Sequence, residues 1–114
     1  MGNVYLINIE RTDLYKIGTT KKPIKDRIKS LQTGNPINLV LIEHFESQQY
    51  KKIEKIIHRL LKPKKYIPDD FEDLKGEWFK LTFQDTFEFK LLCKKIEDSI
   101  VFLAENSTLN FKYF

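Results

Sequence analysis

The spacing of apolar residues divides the first third of the chain into a hairpin and a helix. Residues 4–9 and 14–19 are rich in β-branched and aromatic side chains and are joined by a polar turn, which predicts a β-hairpin. Gly18 lies at the end of the second strand, where glycine permits a positive φ or a close backbone approach. A helix is predicted to start at Pro23 and to stop at Gly34. Its predicted buried face consists of Ile24, Ile28 and Leu31.

The middle of the chain predicts a third strand and a second helix. Residues 39–45 form the strand, and Ser47 is placed to cap the helix that follows. Pro63 ends this helix, and residues 62–70 are predicted to form a loop. Apolar residues at i, i+3, i+4, i+7 and i+8 give the helix one buried stripe. The stripe consists of Ile53, Ile56, Ile57, Leu60 and Leu61.

The remainder predicts a short strand, a long helix and an aromatic tail. Residues 76–81 alternate as a strand, and the spacing of Asp85 and Glu88 fits a capping box. The apolar face of the helix consists of Phe89, Leu92, Cys93, Ile96, Ile100 and Leu103. The tail, residues 109–114, would either close the core or pair with a second copy. This order predicts one α/β (α+β) domain over residues 1–114, with a small, mainly antiparallel sheet flanked by helices.

Composition limits the partners and the compartment. The 114 residues contain no apolar run long enough for a membrane span, and the N-terminus lacks the features of a signal peptide. A single cysteine fits a reducing, intracellular compartment. Residues 1–65 hold 14 Lys/Arg and 6 Asp/Glu, a net charge of +8, whereas residues 66–114 hold 6 and 10, a net charge of −4. The basic half indicates either a polyanion such as nucleic acid or an ordinary solvated lysine surface.

Among single residues, Glu54 and His58 carry the most distinctive pattern. The sequence has no glycine-rich phosphate loop, no His-Glu-x-x-His motif and too few Cys and His for a structural zinc site. Glu54 and His58 lie one helical turn apart, and Glu54 is the only acid among seven Lys/Arg in residues 51–65. A lone carboxylate in a basic field suits a hard divalent cation. The alternative is a helix pair of Glu54 with His58, Lys51 or Lys55.

Three further residues have a chemical and a structural interpretation. Arg27, beside the apolar stripe of the first helix, would bind a phosphate bidentately or lie on the surface. Tyr5 and Tyr15 would act through their hydroxyls or pack within the sheet. Trp78 and Phe79 are predicted to lie in the core, and His44 is predicted to be a structural or a surface histidine.

Together, five motifs in order resemble the GIY-YIG nuclease superfamily. The resemblance covers residues 3–81 and is closest to the branch whose second signature reads Tyr-Lys-Ile-Gly and whose domain ends in Gly-Glu-Trp-Phe, a branch common in phages and large DNA viruses. The matching residues are Val4-Tyr5-Leu6, Tyr15-Lys16-Ile17-Gly18, Arg27 to Pro36, Glu54 with His58, and Gly76-Glu77-Trp78-Phe79. Two departures are Asn3-Val4 in place of Gly-Ile, and Lys16 in place of a tyrosine.

The resemblance implies a fold and a set of roles. The family has a three-stranded antiparallel sheet flanked by helices, to which this chain adds a short strand and the C-terminal segment 82–114. By the family pattern, Tyr5 is the general base, Arg27 clamps the phosphate and Glu54 binds Mg²⁺ or Mn²⁺. His58 is a second-sphere or proton-transfer residue. The second-signature tyrosine is either absent, replaced by Lys16, or moved to Tyr15.

The leading hypothesis is a metal-dependent endonuclease that hydrolyses DNA phosphodiesters with low sequence specificity or with selectivity for a DNA structure. A second is a non-cleaving nucleic-acid-binding module on the same fold. A third is an interaction protein that uses its aromatic tail, and the same tail is the predicted surface of a homodimer. The predicted phosphate contacts are Lys21, Lys22, Lys25, Lys29, Lys51, Lys55, Lys64 and Lys65.

Overall fold

A computed structural model describes residues 1–66 and 77–106 of the chain. Five strands and three α-helices make up this part of the molecule. In chain order they are β1 (Gly2–Ile9), β2 (Leu14–Thr20), α1 (Ile24–Gln32), β3 (Leu39–Ser47), α2 (Tyr50–Leu60), β4 (Lys65–Tyr66), β5 (Trp78–Lys80) and α3 (Phe83–Asn106). A short 3-10 turn, Lys62–Lys64, joins α2 to β4.

All strand pairs of the sheet are antiparallel, in the order β3-β1-β2-β5-β4. The predicted α+β fold with a small antiparallel sheet, an extra short strand and a long C-terminal helix is confirmed. Strand β4 falls in the segment predicted as a loop, because two residues paired only with β5 leave no periodic pattern in the sequence. Gly76 of the predicted short strand and the tail at 109–114 lie outside the described residues.

The apolar core lies on one face of the sheet, beneath α2 and α3. Strand side chains alternate between faces, and β1 directs Val4 and Leu6 toward this core. Both are 0% exposed, as are Ile53 and Ile57 of α2. Cys93 of α3 is buried among them, and burial raises the pKa of its thiol to about 12.

The opposite face carries α1 and a smaller apolar cluster of Ile9, Leu14 and Trp78. Helix α1 lies against Leu39 and Leu41 of β3, which pair with Ile9 and Ile7 of β1. No residue of α1 is fully buried. The predicted buried face of this helix is therefore only half-buried, because α1 covers the sheet from one side and nothing described packs over it.

Three local predictions were wrong in detail. Ser47 ends β3, and its hydroxyl accepts the N–H of Gln49 rather than capping α2, which begins at Tyr50. The capping box of α3 uses Thr82 and Asp85, three residues earlier than predicted: the Asp85 N–H donates to the Thr82 hydroxyl, and the Asp85 carboxylate accepts the Thr82 N–H. Leu60 is 57% exposed, because at the end of α2 the core contact passes to Leu61.

Candidate functional site

Gly18 and Tyr5 form a close pair across the hairpin. The two residues face each other in the register of β1 and β2, and Tyr5 is only 1% exposed. A Cβ atom at residue 18 would overlap the hydroxyl end of the Tyr5 ring. Gly18 is therefore required by the approach of a side chain and not by a positive φ. No hydrogen bond to the Tyr5 hydroxyl is present within residues 1–66 and 77–106.

Two cations on the same face of the sheet have no counter-ion within residues 1–66 and 77–106. Lys16 is on the same face of β2 as Gly18, and its Nζ lies 5.9 Å from the centre of the Trp78 ring. Burial lowers the pKa of Lys16, and the nearby charge of Arg27 lowers it further. The Nε atom of Arg27 is buried and has no hydrogen-bond partner among the described residues. A buried donor without a partner is unfavourable, so this arrangement favours the binding of an external anion.

Tyr15 lies on the other side of the same strand. It pairs with Phe79 in the register and packs against the main core, next to α2 and α3. Alternation along β2 thus places Lys16, and not Tyr15, on the side of Tyr5 and Arg27. Of the residues weighed for the second-signature position, the structure brings only the lysine to the candidate site.

His58 connects α2 to the edge of β2. Its Nε2 lies 2.8 Å from the carbonyl oxygen of Ile17, and its Nδ1 lies 2.7 Å from the carboxylate of Glu77. Ile17 directly precedes Gly18, so the peptide unit between them is contacted by His58 through its carbonyl and by Tyr5 over Gly18. Among the described residues, β5 pairs with residues 14–16 of β2, so this peptide unit lies just beyond the paired part of that strand. Side chains from both faces of the sheet contact it there.

Glu54 lies one turn before His58 on α2 and lines a pocket of about 330 Å³ beside it. The side chain is half-buried, and within the described residues it forms neither an ion pair nor a hydrogen bond. The alternative of a helix pair with His58, Lys51 or Lys55 is therefore not what the structure shows, since His58 pairs with Glu77 instead. A free carboxylate surrounded by Lys55, Arg59 and Lys62 remains available to a cation.

The predicted phosphate-binding lysines fall into two groups. Those before residue 60 are exposed on the turn after β2, on α1 and on α2, and none forms an ion pair within the described part of the chain. These are Lys21, Lys22, Lys25, Lys29, Lys51 and Lys55. Lys64 and Lys65 differ, because they pair with Asp85 at 2.6 Å and with Glu77 at 3.4 Å.

Glu77 is the residue that the sequence analysis did not place in the site. Its interaction with His58 spans 19 positions of the chain, so no helical or strand periodicity indicates it. The available signal was its position immediately before Trp78 and Phe79, which form the strand that β2 pairs with. A side chain at that end of β5 necessarily lies near the open edge of β2.

The described residues thus form an antiparallel α+β fold in which Lys16 and Arg27, which have no ion-pair partner among these residues, lie on the face of the sheet that carries the buried Tyr5. The chain belongs to the T5orf172 domain family, whose model matches residues 2–96. The family is associated with nucleases, which suggests a nuclease or DNA-binding role with DNA as the substrate. No curated protein and no solved structure matches the chain. The GIY-YIG resemblance stays a prediction.

Over residues 1–66 and 77–106, no helix combines the length and the apolar character that crossing a membrane requires.

Proposed function

We propose that the protein is a metal-dependent endonuclease of the GIY-YIG type that hydrolyses DNA phosphodiester bonds. The observation that supports this most directly is the set of unpaired charges at one end of β2. Arg27 and Lys16 are cations without an anion, and Glu54 is an anion without a cation among the described residues. Charges of both signs without a partner among the described residues fit a ligand that itself combines an anion and a cation, such as a phosphate with its metal ion.

The basic residues of this set would bind the scissile phosphate. Arg27 presents a planar donor group that matches two phosphate oxygens, and its buried Nε would gain the partner that the protein does not supply. Lys16 adds a second, compact charge at the same place. A bound phosphate would reduce the repulsion between Lys16 and Arg27, and this reduction would add to the free energy of phosphate binding.

Tyr5 is the proposed general base. Its ring is fixed by burial and by contact with Gly18, so the hydroxyl has a defined position over Gly18, on the face of β2 that carries Lys16. In its phenolate form, Tyr5 would accept the proton that a water molecule loses as the water oxygen attacks phosphorus. Tyr15 has no role in this proposal, because it packs against the core on the opposite side of β2.

Glu54 is the proposed ligand of Mg²⁺ or Mn²⁺. Within the described residues no three His, Cys, Asp or Glu side chains cluster to hold a metal, so a closed protein site is not formed there. Mg²⁺ commonly binds to one or two carboxylates and completes its coordination with water and substrate phosphate, and a single free carboxylate fits that pattern. When bound, the metal would supply charge neutralisation at the phosphate and at the departing oxygen.

A second candidate function is nucleic-acid binding without cleavage. It is favoured by the exposed, unpaired lysines on both sides of the site, which would track a phosphate backbone with low sequence specificity. These lysines serve either function. The two candidates differ in the need for Glu54, since a carboxylate weakens the binding of a polyanion unless a metal ion bridges the two.

The test is to incubate the protein with supercoiled plasmid in Mg²⁺, in Mn²⁺ and in EDTA, together with Glu54→Ala and Arg27→Ala. We expect nicking that requires metal, and a loss of about 100-fold or more in each variant, because each removes charge stabilisation at the reacting phosphate. Glu105→Ala is the matched control: Glu105 is an exposed carboxylate near the C-terminal end of α3, beyond the residues that the family model matches, and its removal should leave nicking unchanged.

Two outcomes separate the candidates. Cutting that survives Glu54→Ala would overturn the assigned mechanism. Absence of cutting, combined with binding that weakens steeply as salt rises and strengthens in Glu54→Ala, would establish the binding module instead.

A further inference from the structure

The ring of His58 has an acceptor at each nitrogen. The carbonyl oxygen of Ile17 faces Nε2 and can only accept a hydrogen bond. The carboxylate of Glu77 faces Nδ1, and the hydrogen bond from His58 lowers the pKa of Glu77, with a smaller contribution from Lys65. Glu77 is therefore ionised near neutral pH and also accepts. Both contacts are made together only if both ring nitrogens carry a proton.

The orientation of the ring is fixed from a third direction. Phe79 of β5 meets the imidazole edge to face, with the ring centres 5.2 Å apart and the planes at 90°. His58 is thus held by a backbone carbonyl of β2, by the carboxylate of the residue that precedes β5 and by an aromatic ring of β5. Neither nitrogen is left free to take or give a proton, which argues against a proton-transfer role for this residue.

The contact with Ile17 joins two elements that the sheet itself does not join. Strand β5 pairs with residues 14–16 of β2 and no further, so Ile17 lies just beyond the paired part of that edge. His58 occupies this open position and ties α2 to β2. Glu54 lies one turn earlier on α2, about 6 Å along the helix axis, and Gly18 with the Tyr5 hydroxyl follows directly after Ile17.

We propose that Glu77 is a positioning residue that holds His58 as a double hydrogen-bond donor between α2 and β2. The resulting strut, Glu77–His58–Ile17, fixes the distance between Glu54 on α2 and Tyr5 beside Gly18. The effect of the strut on cleavage rests on the proposed endonuclease function, whereas the existence of the strut does not depend on that function. The charged groups that line the same pocket, and that any substitution of Glu77 leaves in place, are Glu54, Lys55, Arg59, Lys62 and Lys65.

The first test is nuclear magnetic resonance of the ring nitrogens at neutral pH, in the wild type and in Glu77→Gln. His44 is the other histidine of the chain and is exposed, with a single contact from Nδ1 to Asn3, so it provides an internal reference. We expect His58 to show two protonated nitrogens in the wild type. In Glu77→Gln the amide can donate to Nδ1, so the ring should become neutral and keep only the Nε2 proton. A neutral wild-type ring, or an unchanged ring in Glu77→Gln, would overturn the strut.

The second test is steady-state cleavage of plasmid by the same variant. A displacement of Glu54 relative to the phosphate predicts a kcat about 10- to 100-fold lower, with KM within about twofold of the wild type because the cationic residues are untouched. Glu97→Gln is the matched control: it makes the same carboxylate-to-amide change in an ion pair of α3, 3.2 Å from Lys94, and should retain nearly full turnover. Full turnover in Glu77→Gln would remove the positioning role. If the wild type cuts nothing, the endonuclease proposal fails, and the ring-nitrogen measurement still decides whether the strut exists.

Discussion

The two faces of the sheet are formed by the same strands, but their buried residues have different surroundings. On the face under α2 and α3, alternate residues of β1 such as Val4 and Leu6 are fully buried among apolar partners. On the other face, Tyr5 is as deeply buried as its neighbours, but it faces Gly18 on the side of β2 that carries Lys16 and belongs to neither apolar cluster of the described residues. Deep burial therefore coincides with apolar packing under α2 and α3, whereas at Tyr5 it coincides with the candidate polar site.

Charge pairing also differs between α3 and the surroundings of α1. Along α3, cations are matched with acids, as in Lys94 with Glu97 and Asp98 and in Lys90 with Glu43. Beside α1, Arg27 and Lys16 have no such partner within the described residues. Exposed pairs contribute little to stability, so the pairing along α3 mainly removes net charge from that side. The unpaired side is left with the field that would attract a polyanion.

The largest expected effect compares one isoleucine on each face. Ile57→Ala removes a side chain that is 0% exposed in the main core, and we expect it to lower the free energy of unfolding by about 3 to 4 kcal/mol. Ile28→Ala, on the half-buried side of α1, should cost only about 1 kcal/mol, because less apolar area leaves water there. Urea unfolding followed by circular dichroism measures both. Equal losses would mean that α1 packs as tightly as α2 and that the contrast between the faces is not energetic.

A smaller effect of opposite sign is expected at Arg27. Arg27→Met keeps most of the side-chain volume and removes a buried donor without a partner, so stability should stay equal or rise by up to about 1 kcal/mol. Inorganic phosphate or sulfate should raise the melting temperature of the wild type more than that of the variant, because only the wild type retains the full anion site.

The control for this prediction is Lys95→Met, which removes an exposed cation from α3. It should change neither the stability nor the response to phosphate by a comparable amount. A clear loss of stability in Arg27→Met would show that the guanidinium group stabilises the fold, and it would weaken the case for an anion site.

Sequence patterns predicted the elements of this fold because local periodicity reflects burial. The stripe of α2 and the alternation of β1 each repeat over several residues, so α2, β1 and the hairpin could be predicted from the sequence. The two-residue strand β4 has no period, and the capping box at Thr82 was displaced by three residues because two overlapping acidic spacings fit the same rule.

The site was predictable in its residue types but not in its contacts. Gly18 could be singled out from the sequence, whereas its reason, the overlap of any Cβ with Tyr5, depends on a register between two strands. The choice between Lys16 and Tyr15 depends on which face of β2 carries Tyr5, and the pairing with Glu77 depends on how a strand 19 positions from His58 closes on the sheet. Long-range contacts of this kind leave no local signal.

The smallest expected effect is a pH dependence that arises from Lys16. Its folded-state pKa is lowered, chiefly by burial and then by Arg27, whereas the unfolded chain retains an ordinary lysine pKa. Between the two values the unfolded state binds more protons, so stability increases with pH; below the folded pKa the full penalty of the buried charge is present. The difference in unfolding free energy between the wild type and Lys16→Met should therefore rise as pH increases toward about 10.4. Urea titrations of both proteins across this pH range measure the difference. Subtracting one unfolding free energy from the other cancels the contribution of the tyrosines, which titrate in the same range.

In an Arg27→Met background, the increase of this difference with pH should become smaller but persist, because burial is the larger cause of the lowered Lys16 pKa. A difference that stays flat with pH would mean that Lys16 is hydrated in the folded protein, and the charged face would then lack its second buried cation.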